Sequence, residues 1–305
     1  MKVNLATIKE RSILGFFSKS TNLKAVYENF MEKIVFFCAC LSILCVLIIT
    51  FFIFSSGGPF IMKEGIWNFL AGTEWRPMQG IFGILPMIVG TIMLTFGSTV
   101  MAVFFGVGGA VFMAEFSPKQ VAKILRPCIQ LLAGVPSVVY GFWGLIVLVP
   151  FLRSLFGGSG FSALAGSIIL AIMILPTIVN ISEDALLNVP NDLKEGSLAL
   201  GSTQWQMVKH IMFPVARQGI IAGIVLGMGR AIGETMAIVM VTGNVVAMPS
   251  SFLDEVRALT SNIVIEMAYA ARGDHRDALF ATGVVLFVFI MILNTLVNLR
   301  YQKKE

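Results

Sequence analysis

The stretch Gly219–Thr242, GIIAGIVLGMGRAIGETMAIVMVT, decides the fold because it is long and apolar enough to cross a membrane. About 20 apolar residues span the hydrocarbon core of a bilayer. Only Arg230 and Glu234 interrupt the run with charge, and their spacing of four residues predicts that both lie on one helix face. An ionised side chain at that depth costs roughly 2.5–3.5 kcal/mol. We therefore expect both side chains to face protein or a water-filled path rather than lipid.

Small residues recur at every fourth position of the same run and predict a strip against which another helix packs closely. The members of this strip are Gly219, Gly223, Gly227 and Ala231. Two interpretations of the charged residues beside it stay open. Either Arg230 supplies positive charge to an anion path that Glu234 tunes or gates, or the two form a structural ion pair. Ionisable residues inside membrane spans favour the first interpretation.

The composition indicates a helical membrane protein that crosses the bilayer several times. Of the 305 residues, 57% are hydrophobic and only 13% are charged. The net charge of +5 is typical of the flanks of membrane spans, so it does not require nucleic acid as a partner. The four cysteines form no CxxC pair and are expected to be small buried hydrophobes, and the two histidines to be solvated. The polar first thirty residues do not fit a cleavable signal peptide.

Further apolar runs bring the predicted number of transmembrane helices to six, in an all-α polytopic membrane protein. The predicted spans are residues 34–54, 81–105, 128–151, 161–181, 218–241 and 278–299. Ser55 to Pro59 are expected to end the first span, residues 115–127 to form a charged loop, and Gly-Val-Pro-Ser at 134–137 to unwind the third span. For residues 1–33, an interfacial helix and a solvated terminus are both open alternatives. Residues 300–305 form a short tail.

The distribution of lysine and arginine predicts the orientation. With the N-terminus inside, the inner segments hold fifteen of these residues and the outer loops six. Positive charge accumulates on the cytoplasmic side. Both termini and residues 182–217 are therefore expected to be cytoplasmic.

Polar side chains in spans two and three are candidates for lining a path. They are Thr95, Ser98, Thr99, Ser137 and Tyr140. In span two the hydroxyls follow helical spacing, so they share one side of the helix. The alternative is that each hydroxyl bonds the backbone of its own helix, which is the commoner case.

The segment 182–217 carries a second pattern with defined spacing. Its positions are Glu195, Gly196, Ser197, Gly201, Ile211 and Pro214. The spacing matches the EAA-x3-G-x9-I-x-LP loop of ABC importer permeases, with Gly and Ser in place of the two alanines and Phe in place of Leu. We expect a short helix that Gly201 ends in the left-handed conformation, then a second short helix to Pro214. Such a rigid knob transmits motion from a separate ATPase, whereas the alternative is a plain amphipathic loop.

The chain is not expected to be an enzyme. It contains neither the G-x-x-x-x-G-K-[ST] motif of ATP-binding loops nor an HExxH metal motif. No cofactor is expected on this chain, and ATP is expected to be used by a partner subunit.

Four segments resemble the PstC family of phosphate ABC importer permeases. They are LLAGVPSVVYGFWGL (131–145), EGSLALGSTQWQMVKHIMFP (195–214), LGMGRAIGETMA (226–237), and FLAGTEWRP with GILPMIVGT (69–91). The likeness covers about residues 67–297 and implies the type I, MetI-like importer fold. It also implies a bacterial cell-membrane assembly with a PstA-like second permease, two PstB-like ATPase copies and an external PstS-like phosphate-binding protein. The charged pair of the family falls on Arg230 and Glu234.

The chemistry of this pair suits phosphate, which keeps a proton near neutral pH. Arginine offers a planar fork of donors to the oxygens of phosphate. A nearby carboxylate accepts the phosphate proton in a hydrogen bond and repels sulfate, which has no proton to give. The alternatives are a permease for sulfate or molybdate, a secondary carrier that needs no ATPase, and a signalling subunit.

Overall fold

The computed structural model describes the backbone of residues 5–302 and the side chains of residues 27–295. Within that part of the chain, six helices are long and apolar enough to cross a membrane, which confirms the predicted number. These helices are Tyr27–Glu64, Leu85–Phe116, Ser137–Phe156, Ala163–Leu187, Gln204–Gly233 and Asp274–Thr295. The chain is thus a multi-pass, all-α membrane protein.

Most elements follow one another with short connections, and residues 242–258 form the longest connection between helices. In chain order the helices are α1 (Leu5–Glu64), α2 (Ile66–Ala71), α3 (Leu85–Val111), α4 (Lys119–Gly134), α5 (Ser137–Trp143), α6 (Val149–Phe156), α7 (Ala163–Leu187), α8 (Asn191–Ala199), α9 (Gln204–Met207), α10 (Phe213–Gly233), α11 (Met236–Val241), α12 (Leu259–Met267) and α13 (Asp274–Gln302). Between α2 and α3, the strands β1 (Trp75–Arg76) and β2 (Ile81–Phe82) form a small antiparallel hairpin.

Helix α1 extends beyond the predicted first span at both ends. The chain divides into two compact units, residues 1–55 and 56–305, and the described part of the first unit is helical throughout. No helix end separates the predicted segment 1–33 from the span. The predicted stop at Ser55 to Pro59 is wrong, because α1 continues through Pro59 to Glu64. Gly57 serves packing instead, since a Cβ there would lie 2.6 Å from the Ala281 nitrogen.

Helices α3, α7 and α10 form the core of the second unit. The predicted strip of small residues is confirmed on α10, where it packs against α7. A Cβ added at Gly219 would meet the Ala185 side chain, and one at Gly227 would lie 3.0 Å from Ile178. Glycine at these positions lets the two helices approach closely.

Three single π turns each end two residues before a proline. They are Phe112–Phe116 before Pro118, Gly144–Leu148 before Pro150, and Val208–Met212 before Pro214. Pro150 and Pro214 lie inside continuing helices, whereas the first π turn ends its helix at Ser117. Proline lacks an N–H and collides with the carbonyl four residues earlier, and the extra residue of a π turn moves that carbonyl aside. The predicted second short helix ending at Pro214 is therefore wrong, because the helix runs unbroken from Gln204 to Gly233. The segment between spans shrinks from the predicted 182–217 to 188–203.

The third span begins later than predicted. The predicted charged loop at 115–127 and span start at Cys128 are wrong, because α4 occupies most of this stretch as an amphipathic helix. Val135 is extended (ψ 129°) and ends α4. The ring of Pro136 excludes the helical region for the residue before it. The predicted unwinding thus exists, but it separates α4 from a span that starts at Ser137.

An ion pair fixes α4 on α7. Nε and Nη2 of Arg126 both lie 2.7 Å from Oε1 of Glu183, whose side chain is only 6% exposed. Removing one partner of such a pair leaves a buried charge uncompensated.

Arg126→Met is therefore expected to lower the stability of the purified chain by about 2 kcal/mol, a value below the range for fully buried pairs because Arg126 is partly exposed. The thermal unfolding midpoint in detergent measures the effect. Lys119→Met, which removes an exposed cation from the same helix, is the control. Equal midpoints for the two variants would contradict the prediction.

Candidate functional site

The fifth span is broken beside its two charged residues. Helix α10 ends at Gly233, Glu234 is extended (φ −71°, ψ 135°), and α11 begins at Met236. The Thr235 hydroxyl donates to the Gly233 carbonyl at 3.3 Å, which satisfies part of the helix end. The predicted continuous span 218–241 is wrong here. So is the placement of Arg230 and Glu234 on one helix face, because Glu234 lies outside the helix.

Arg230 lies in the last turn of α10 and is exposed on the surface of this chain. A cation there interacts favourably with the negative end of the helix dipole. Among the side chains of residues 27–295, none bonds or ion-pairs with the guanidinium, and this includes Glu234. The direct Arg230–Glu234 pair of the structural interpretation is thus not formed, and the guanidinium donors are available to an anion.

Glu234 is half-buried at the start of α11. Its Oε1 accepts a hydrogen bond from the Ala237 nitrogen at 3.4 Å, so the carboxylate covers the first turn of that helix. Its main-chain carbonyl accepts a hydrogen bond from the Thr260 hydroxyl at 2.9 Å. With Oε1 engaged in this way, Oε2 of Glu234 can accept a hydrogen bond from a protonated anion.

The helix breaks before α5 and before α11 come together in the fold. Gly141 of α5 faces α11 so closely that a Cβ there would lie 2.9 Å from the Ala237 Cα. Tyr140 is buried and donates to the Leu132 carbonyl at 2.7 Å across the first break. Irregular backbone at membrane depth is tolerated where it lines a cavity or is shielded by protein. This arrangement makes the neighbourhood of Arg230 the candidate site.

The other candidate lining residues differ in their surroundings. Thr95 and Ser98 are buried and donate to backbone carbonyls of their own helix at 2.8 and 3.1 Å, as the alternative interpretation expects. Thr99 and Ser137 are half-buried. The Thr99 hydroxyl has no hydrogen-bond partner within the described part of the chain, so it keeps a free donor.

The candidate coupling residues form a compact knob, residues 191–203. Gly201 has a φ of +85°, which confirms the predicted left-handed conformation after α8. The hydroxyls of Ser197 and Ser202 lie 2.7 Å apart and close the turn. A Cβ at Gly196 would meet nothing within 4 Å, so the alanine of the common pattern would fit equally well. Glu195 is exposed on α8.

The knob is attached to the end of the second span. Nζ of Lys194 lies 3.5 Å from Oε2 of Glu115, and the Gln204 side chain donates to the Glu115 carbonyl at 2.9 Å. The ring of Trp205 lies 6.3 Å from that of Phe116. Ile211 and Pro214 belong to the helix that continues into the fifth span. A force on the knob therefore reaches spans two and five directly.

Some expectations about isolated residues are corrected. The four cysteines are free and exposed rather than buried. His275 is partly buried in α13, and its Nε2 lies 3.2 Å from Oε2 of Glu266.

In the connection before α12, hydrogen bonds from the Ser250 side chain and from two backbone nitrogens lower the pKa of Asp254. No three His, Cys, Asp or Glu side chains within the described residues are placed to hold a metal ion.

Thr260 was not predicted from the sequence. It lies 26 positions after Glu234, and in the sequence its hydroxyl is one of several polar side chains between the last two spans. No local pattern connects the two residues, since only the tertiary fold brings them together.

Comparisons with known proteins agree with this architecture. The model of the family described as "Binding-protein-dependent transport system inner membrane component" matches residues 106–303. The chain is 40% identical to the "Probable ABC transporter permease protein YqgH" of Bacillus subtilis, with 88% of this chain and 90% of that protein covered. It is 35% identical to the "Phosphate transport system permease protein PstC" of Xylella fastidiosa (82% and 83% covered). For the protein of the same name from Pasteurella multocida, the identity is 31% (90% and 92% covered).

Solved structures share the fold at low sequence identity. A chain of the inward-facing MetNI methionine ABC transporter aligns with a TM-score of 0.58 and 19% identity, covering 75% of this chain and 99% of that one. A chain of a bacterial ABC transporter that imports the acidic polysaccharide alginate aligns with a TM-score of 0.60 and 14% identity, covering 90% and 98%. These likenesses establish the MetI-like importer fold.

Proposed function

Because this chain belongs to the family of binding-protein-dependent transport system inner membrane components, we propose that it is the membrane-spanning permease subunit of an ATP-driven importer of inorganic phosphate. The observation that carries the proposal is its 31–35% identity to permeases named for phosphate transport over most of its length. The exposed guanidinium of Arg230 beside a broken span supports an anionic substrate.

The proposed assembly contains a PstA-like second permease, a dimer of PstB-like ATPase subunits and an external PstS-like phosphate-binding protein. Both termini and the knob face the cytoplasm of the bacterial cell. An exposed arginine at membrane depth must be shielded from lipid, and the second permease shields it. The phosphate path then lies between the two permeases, with Arg230 on its wall.

Transport follows an alternating cycle in this proposal. The binding protein docks outside and releases phosphate into the cavity between the permeases. The ATPase dimer moves the knob, and the contacts of Glu115 with Lys194 and Gln204 transmit that motion to spans two and five. The site at Arg230 is open first to the outside and then to the cytoplasm. Glu234 is bonded to α11 rather than to Arg230, so the guanidinium is free to bind phosphate.

Reconstitution tests the proposed function and separates it from its alternatives. The complex that co-purifies with this chain is placed in vesicles with the binding protein, and radiolabelled phosphate uptake is measured with and without ATP. Uptake should require ATP and resist competition by sulfate and molybdate. Preferential inhibition by either oxyanion would assign a different substrate, and uptake by this chain alone would indicate a secondary carrier.

Glu234→Gln is expected to lower phosphate uptake about ten-fold and to let sulfate compete, because a hydrogen bond that involves a charged group is worth about 1.5–3 kcal/mol. The amide also removes the negative charge that repels the fully ionised oxyanion. Uptake of labelled phosphate at increasing sulfate concentration measures both effects.

Glu74→Gln is the matched control, because Glu74 is an exposed carboxylate in the segment between α2 and β1. If Glu234→Gln kept full phosphate uptake and still excluded sulfate, Glu234 would have no role in selectivity.

A further inference from the structure

A side chain of the connection between α11 and α13 holds the break in the fifth span. Thr260 lies in the first turn of α12, is only 6% exposed, and donates its hydroxyl proton to the Glu234 carbonyl at 2.9 Å. Glu234 belongs to neither flanking helix: its nitrogen donates to the Ala231 carbonyl of α10 at 3.3 Å, whereas its carbonyl takes its hydrogen bond from Thr260, outside both helices. Thr260 therefore fixes the part of the break that carries the Glu234 carboxylate.

The segment that carries Thr260 is itself firmly anchored. We call residues 256–267 the brace. The Leu259 nitrogen donates to the Thr91 hydroxyl of α3 at 3.0 Å. Nη1 of Arg257 lies 2.9 Å from Oε1 of Glu266, so an ion pair joins the two ends of the brace. The break is thus held against α3 through the brace and does not depend on α10 alone.

The brace also contacts the start of the last span. Oε2 of Glu266 lies 3.2 Å from Nε2 of His275 in α13. On the proposed orientation, this end of the brace is at the external face, where the binding protein docks. Glu266 and Thr260 belong to the same short helix α12, so a displacement at His275 reaches Thr260, and through it Glu234, by way of that helix.

We propose that Thr260 is a positioning residue for translocation: its hydroxyl fixes the Glu234 carbonyl and so sets where the Glu234 carboxylate stands relative to Arg230. This inference rests on the proposed function and assigns to the brace the role of linking the external face to the site. The hydroxyl is essential in this account, whereas the bulk of the side chain is not.

The test compares Thr260→Val, which keeps the shape of the side chain and removes the donor, with Thr260→Ser, which keeps the donor. Thr282→Val is the matched control, because Thr282 is also buried but donates only to the Ala278 carbonyl of its own helix. The first readout is amide hydrogen exchange over residues 231–242 in the assembled complex. The second is the number of phosphate ions transported per ATP hydrolysed.

Thr260→Val should speed exchange at the break and lower the transport ratio, each by about ten-fold, because the Glu234 carbonyl would lose the hydroxyl that donates to it. Thr260→Ser should restore both, and Thr282→Val should change neither. If Thr260 had only a structural role, Thr260→Val would instead lower the amount of assembled complex and leave the transport ratio of the remaining complex intact.

The failure of this inference is distinguishable from that of the proposed function. If the wild-type complex transports phosphate and Thr260→Val leaves the exchange and the ratio unchanged, the positioning role alone is wrong. If the wild-type complex transports no phosphate, the proposed substrate is wrong, and hydrogen exchange still decides whether Thr260 holds the break. Unchanged exchange would overturn the inference in either case.

Discussion

Arg230→Ala abolishes ATP-driven phosphate uptake, or lowers it by at least about 100-fold, if the guanidinium is the principal positive charge that this chain offers to the anion. A hydrogen bond to a charged group is worth about 1.5–3 kcal/mol, an arginine commonly gives an oxyanion two of them, and each 1.4 kcal/mol corresponds to about ten-fold. The effect is expected on transport rather than on assembly, because Arg230 is exposed and has no bonding partner among the described side chains of this chain.

The measurement is uptake of labelled phosphate in vesicles that contain equal amounts of assembled complex. Arg230→Lys keeps the charge but loses the planar fork of donors, so it should retain part of the uptake. Arg217→Ala is the matched control, because Arg217 is an exposed arginine earlier on the same helix. Undiminished uptake by Arg230→Ala would remove Arg230 from the path.

The hydrophobic pattern was sufficient to predict the number of spans but not where their helices end. Apolar runs report the thickness of the hydrocarbon core, and helices continue beyond it wherever the backbone can remain paired. Helix α1 therefore passes through Pro59, and the fifth-span helix starts at Gln204, well before its apolar stretch. The sequence predicts a loop over the stretch of α4, because its lysines and arginine mask an amphipathic pattern.

Backbone conformation and close helix packing can be predicted from the sequence where a single glycine determines them. The left-handed conformation of Gly201 and the packing strip on α10 follow from glycine alone, whatever the rest of the chain does. The break after Gly233 does not follow in this way, since the sequence Gly-Glu-Thr permits a helix. Its structure depends on Thr260 and on the contact between α5 and α11, which arise only in the folded protein.

That break changes how the two charged residues work together. On an unbroken helix they would compete for each other. In the structure Glu234 is engaged with the Ala237 nitrogen, and Arg230 stands at the end of α10. The same sequence spacing thus produces two separate groups, a donor set and an acceptor, and the proposed function assigns both to an oxyanion that still carries a proton.

In the proposed assembly, the knob is the part of this chain to which the ATPase attaches. Leu200 is 90% exposed directly before Gly201, and Leu193 and Leu198 are also exposed on α8. Exposed apolar side chains on a rigid helical element are typical of protein interfaces. The contacts of the knob with Glu115 keep this surface rigid, so a partner that binds here pulls on the spans rather than on a loose segment.

Leu200→Asp is therefore expected to lower the affinity for the ATPase by about 10- to 100-fold, since burying a leucine side chain is worth about 1.5–3 kcal/mol. An aspartate would in addition carry charge into the interface. The amount of ATPase that co-purifies with this chain measures binding, and ATP-driven phosphate uptake measures the consequence.

Met78→Asp is the matched control, because Met78 is 99% exposed in the hairpin segment between β1 and β2, far along the chain from the knob. It introduces the same charge at an equally exposed apolar position and should leave ATPase binding intact. Leu200→Met should also retain binding, because it keeps an apolar side chain of similar size. If Leu200→Asp and Met78→Asp bound the ATPase equally well, the subunit would have to attach elsewhere, and the knob would not be the element that couples ATP hydrolysis to transport.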